Sequence, residues 1–101
     1  MLVIATIHQR SDAERIGREL LTARKIAGYN LISAESAFWW KGDILAHPET
    51  IMILRVPDDG YSTVEASVIE LSGCDVPDIF TVQPHAINEI FNRWVDSEAT
   101  G

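Results

Sequence analysis

Thr50-Ile51-Met52-Ile53-Leu54-Arg55-Val56 is the run on which the fold turns. Its apolar, largely β-branched residues occupy both odd and even positions, so a strand built from it is apolar on both faces. An antiparallel sheet that is wet on one side needs apolar residues only at alternate positions. The second face therefore calls for a cover, and another subunit is the economical one. Upstream, Tyr29 to Phe38 is β-prone, and Trp39-Trp40-Lys41-Gly42-Asp43 supplies a turn at Gly42, so a long antiparallel hairpin is expected. Downstream, Pro57-Asp58-Asp59-Gly60 breaks the strand, and Tyr61, Val64, Val68 and Leu71 repeat at helical spacing, with Gly73 suited to the position after the helix. Val76 to Val82 reads as a last strand with Pro77 near its start, and Pro84 ends it. Ile87, Ile90, Phe91 and Trp94 then share one face of a terminal helix, which places Trp94 in packing, before a polar tail from Asp96 to Gly101.

At the other end, Leu2 to Ile7 reads as a buried strand. Ser11 followed three residues later by Glu14 offers a capping box, and Ala13, Ile16, Gly17 and Leu20 define the apolar face of a helix ending near Ile26 to Gly28. The order is β-α-β-β-α-β plus a terminal helix. It predicts an α+β fold, a ferredoxin-like βαββαβ sandwich with an extra C-terminal helix, in a single domain spanning residues 1–101.

Charge narrows the function. Fifteen acidic against eight basic residues leave a formal charge of −7, which repels phosphate backbones and anionic lipid, so neither nucleic acid nor membrane is an expected partner. No apolar run approaches the roughly 20 residues that span a bilayer, and the N-terminal run is too short for a secretory signal; the reading is cytoplasmic. The single cysteine, Cys74, forms no internal disulfide and no CxxC zinc site. There is no phosphate-binding glycine loop and no G-x-S-x-G elbow, so an enzyme is not expected.

Three segments carry a resemblance. Arg24-Lys25-Ile26-Ala27-Gly28-Tyr29-Asn30, then Phe38-Trp39-Trp40-Lys41-Gly42-Asp43-Ile44, then Asp75-Val76-Pro77-Asp78-Ile79 resemble, in order and separation, motifs of the CutA divalent-cation-tolerance family. The resemblance runs from Leu2 to about Asp96. It implies a ferredoxin-like homotrimer, related in architecture to the PII signalling proteins. It further implies a role in tolerance of copper and other divalent cations, with a metal ion or small ligand bound at clefts between subunits and no catalysis. Two family positions differ: Gly28 stands where the family has a cysteine, and Ser72 aligns with a family histidine; Cys74 stands where tyrosine is usual.

The candidate cleft residues are Trp40, Lys41, Asp75, Asp78 and Trp94. Asp75 and Asp78 either bind a hard divalent cation through oxygen or serve loop capping and an intersubunit ion pair. Cys74 is either a relocated soft ligand or a small buried hydrophobe. Adjacent Trp39 and Trp40 point to opposite faces, one free for an interface or ligand. Oxygen donors in the Asp75–Asp78 segment would hold copper only weakly. His8, His47 and His85 lie in separate segments without HxxxH spacing, so a histidine site within one chain is not expected. A PII-like sensor of a small anion is the rival, and it requires Lys41, Arg55 or Arg93 to converge.

Overall fold

The computed structural model, which describes residues 1–101, puts the first strand in the middle of the sheet. β1 (Leu2–Ile7) lies between β3 (Asp43–Arg55) and β4 (Ile79–Val82), with β2 (Gly28–Trp40) on the far side of β3. Every pairing is antiparallel. β1 therefore runs parallel to β2 with β3 between them, and β3 runs parallel to β4 with β1 between them. That is the split arrangement expected of a ferredoxin-like sandwich.

Alternation along β1 divides the sheet into two faces. Val3, Ala5 and Ile7, with Met52 and Leu54 of β3, are buried against α1 (Arg10–Thr22) and α2 (Tyr61–Ser72). Ala13, Ile16 and Leu20 of α1 and Val64 and Val68 of α2 complete this core. Met52 and Leu54 retain no exposure, and each such side chain contributes roughly 1.5–3 kcal/mol. The opposite, outer face carries Ile4, Ile51, Ile53, Ile32, Phe80 and Val82, placed in cross-strand rows by Ile4↔Ile53, Thr6↔Ile51↔Ile32 and Ile4↔Phe80. Ile32, Phe80 and Val82 are exposed.

α1 does not use the Ser11 capping box. The helix starts two residues earlier, Gln9 accepts at its carbonyl from the amides of Asp12 and Ala13, and Glu14 is taken by Arg10 at 3.2 Å. It also stops at Thr22 rather than near Gly28. Arg24 adopts a left-handed backbone (φ 60), and the amides of Lys25 and Arg24 donate to the carbonyls of Leu20 and Leu21. This is the Schellman closure, built on arginine where glycine is usual.

β3 begins at Asp43, seven residues before the apolar run. From Asp43 to Glu49 it pairs only with β2, so Pro48, with no N–H to offer, sits where one side of the strand is a free edge. The Lys41–Gly42 turn has positive φ at both residues (50 and 88), the requirement of a tight type I′ hairpin.

β4 is shorter than the sequence suggests. It starts at Ile79, because Pro77 cannot donate to the ladder and Val76 is exposed. α3 (Glu89–Glu98) is capped by Asn88, whose side chain accepts from the Phe91 amide at 3.0 Å. Its buried residue is Val95, not the expected Ile87–Trp94 face: Ile90 is 73% and Trp94 42% exposed. Ile87 lies before the Asn88 cap and so outside the helix, and the rest of the expected stripe, Ile90, Phe91 and Trp94, faces outward from the chain. The last residues are tied down by Arg24, which pairs with Glu98 at 2.8 Å and accepts at its carbonyl from the Gly101 amide.

Candidate functional site

His8 follows β1 directly, and the register Ile7↔Thr50 sets it beside Glu49. His47 and Glu49 are two apart on β3, so both side chains leave the same, outer face of the sheet. One ligand atom from each of the three residues lies within 4.8 Å of the others. The imidazole rings of His8 and His47 meet edge to face at 4.3 Å between centroids. His47 also packs edge-on against Phe38 at 5.3 Å, across the Ser36↔His47 register. His8 Nδ1 lies 3.9 Å from the Glu49 carboxylate, whose side chain is only 15% exposed while that of His8 is 60% exposed.

The expectation that the three histidines stay apart within one chain is corrected for His8 and His47, whose rings meet. It rested on helical spacing, which does not register residues brought together across strands. The signal was in the sequence: a tight turn at Lys41–Gly42 sets Ser36 opposite His47 and fixes which side chains share a face. The pairing of β1 with β3, which delivers His8, was not readable locally.

The other candidates are placed apart. Trp40 and Lys41 sit at the hairpin tip, with the Lys41 ammonium 5.5 Å from the centre of the Trp40 ring. Trp39 points to the opposite face, 71% exposed. Trp94 lies at the hairpin's base, where its ring comes within 3.6 Å of the place a Gly28 Cβ would occupy, beside Arg55. Tip and base are separated by the length of the strand, about 40 Å at ~3.3 Å per residue. Asp75 and Asp78 are exposed in the segment between α2 and β4, and the Asp78 carbonyl accepts from the Thr6 amide at 3.0 Å, next to the end of β1. Cys74 is half-buried, its amide donating to Ser72 Oγ; Ser72 itself closes the end of α2 through the Ile69 carbonyl. One protomer therefore does not gather Trp40, Lys41, Asp75, Asp78 and Trp94 into one cleft. Nor do Lys41 and Arg55 converge within it, and the Arg55 guanidinium is engaged by the Asn30 side chain.

The family model described as CutA1 divalent ion tolerance protein matches residues 1–98. A Divalent-cation tolerance protein CutA of Pyrococcus horikoshii is 30% identical over 98 residues, 97% of this chain and 96% of that one. The crystal structure of CutA1 from the same organism superposes with a TM-score of 0.93 at 29% identity, covering 99% of this chain and 98% of the other. A PII-like protein CutA from Nostoc, 21% identical, shares the fold with a TM-score of 0.92 over 97% of this chain and 95% of its own.

Proposed function

The chain belongs to the CutA1 divalent ion tolerance family, and from that premise we propose that it is a homotrimeric cation-tolerance protein of the cytoplasm. In this reading it holds a metal ion or small ligand between subunits and turns nothing over. The observation that carries the reading is the uncovered apolar surface. The outer sheet face exposes Ile32, Phe80 and Val82, and α3 exposes Ile90, Phe91 and Trp94. Apolar area of that extent on a chain of 101 residues calls for a protein cover, and closed symmetric assembly supplies one in which no subunit is left with a bare face.

The same assembly accounts for the scattered cleft residues. Trp40 and Lys41 project at the tip of one subunit's hairpin, and Asp75, Asp78 and Trp94 of a neighbour are the groups left to meet them. The formal charge of −7 per chain favours a cation over the small anion of a PII-like sensor. No helix is long and apolar enough to cross a membrane. Sedimentation equilibrium tests the assembly: the expected mass is three times the 11.3 kDa chain, and a persistent monomer at micromolar concentration overturns it.

A further inference from the structure

We infer that His8, His47 and Glu49 form a binding site for a divalent transition-metal ion of intermediate softness, Cu(II) or Zn(II), on the outer face of the sheet where β1 ends. The inference rests on the cation-binding part of the proposed function and moves the ion to a place within one chain, leaving the cleft between subunits to a small ligand.

Geometry comes first. Three donor atoms already lie within 4.8 Å of one another. Ligands about 2.0–2.2 Å from a tetrahedral ion are roughly 3.3–3.6 Å apart, so closing the site requires little more than an ångström of movement. His8, beyond the end of β1 and largely exposed, can supply that by side-chain rotation, while His47 and Glu49 are fixed on a strand paired along its length.

The tautomer of His47 is set as a ligand's should be. Its Nδ1 lies 3.1 Å from the Pro48 carbonyl oxygen. A carbonyl only accepts, so Nδ1 carries the hydrogen and Nε2 keeps its lone pair for a metal. The Phe38 ring against His47 supports the imidazole from the side.

Glu49 supplies the charge. Its side chain is only 15% exposed, and the imidazoles of His8, at 3.9 Å, and His47 are its basic neighbours. A carboxylate set among two imidazoles supplies the negative charge that a dication needs. Two imidazole nitrogens and one carboxylate oxygen suit Zn(II), Cu(II) or Ni(II). They are too nitrogen-rich for Mg(II) or Ca(II) and lack the sulfur that Cu(I) prefers. With three protein donors the ion keeps a position for water or a further ligand.

Isothermal titration of the full chain with Zn(II), Cu(II) and Mg(II), together with electron paramagnetic resonance of the Cu(II) form, tests the site. Expected are one ion per chain, Cu(II) tighter than Zn(II), no Mg(II) binding, and nitrogen hyperfine structure in the copper spectrum. His8→Gln, chosen because an exposed residue outside the strand spares folding, weakens binding by roughly tenfold or more, and so does Glu49→Gln. His85→Gln leaves it unchanged. Wild-type affinity in both His8→Gln and Glu49→Gln, in a protein that still binds Zn(II), overturns the site and leaves the cation-binding reading standing. Absence of Zn(II) and Cu(II) binding to the wild type overturns both.

Discussion

Gly17 of α1 packs directly against the Tyr29 ring of β2. A Cβ there would stand 2.8–2.9 Å from three ring atoms of Tyr29, so the helix can lie this near only because the side chain is absent. Gly17→Ala is expected to cost up to about 2 kcal/mol, overpacking of roughly 1–3 offset in part by the ~1 kcal/mol helical gain of alanine. Denaturant midpoints measure it, and a smaller cost in a Tyr29→Leu background would identify the ring as the cause. Tyr61 is a second site of this kind. Its hydroxyl donates to Glu65 at 2.5 Å, and that bond, then burial, then the Glu65 charge raise its pKa above the ordinary 10.0. Because the folded state holds this proton more tightly than the unfolded one, the contribution is complete below pH 10.0 and is lost as pH rises through the raised pKa. Urea titrations across the alkaline range should show Tyr61→Phe lacking that part of the decline. Residues also mark the limits of the sequence reading. Ser11 and Glu14 fit a capping pattern that Arg10 pre-empts, and His8 and Glu49 are neighbours only through a pairing of distant strands. In both cases the deciding partner lies outside the window that a local pattern can see.

Among the elements, the strands were more legible than the final helix. Thr50–Val56 marked itself as a strand, of which Met52, Leu54 and Val56 are buried and Ile51 and Ile53 half-buried, and the turn at Gly42 fixed the hairpin. The strand's extension back to Asp43 was hidden by Pro48, which reads as a breaker unless the free edge beside it is known. Of the expected stripe, Ile90, Phe91 and Trp94 do share a face of α3 while Ile87 precedes the Asn88 cap, and periodicity says which residues share a face and not whose surface they meet. The structure separates two roles on α3. Val95 is buried in the protomer, and Val95→Ala should lower protomer stability by about 1.5 kcal/mol at ~0.8 per buried methylene. Trp94 is part of the outward surface, so Trp94→Ala should act chiefly on assembly, read as increased dissociation in sedimentation at falling concentration. Equal stability losses with no change in association would reverse that assignment. At the hairpin tip, Lys41 occupies a positive-φ position (50) where asparagine is at ease. Lys41→Asn should therefore stabilise the chain by up to about 1 kcal/mol, measured by thermal unfolding.

For the whole molecule, the proposed trimer couples stability to assembly. A trimer's unfolding midpoint must rise with protein concentration, whereas a monomer's does not move, so melting at two concentrations checks the assembly independently of mass. Each chain brings a charge of −7, and like-charged subunits repel. Association should tighten as ionic strength rises from about 10 to about 150 mM and the screening length shrinks from roughly 30 to 8 Å. The sheet order has a further outcome, for the timing of synthesis. Leu2, among the first residues made, pairs with Val82. At roughly 5–20 residues per second, a ribosome needs about 4–16 s to deliver that partner, whereas the β2–β3 hairpin can close within about 1–10 μs of emerging. For those seconds a nascent chain holds β1 with one flank unpaired, a template open to any passing strand. The interval in which the polypeptide most needs a chaperone is therefore set by the delay before the four residues of β4 emerge.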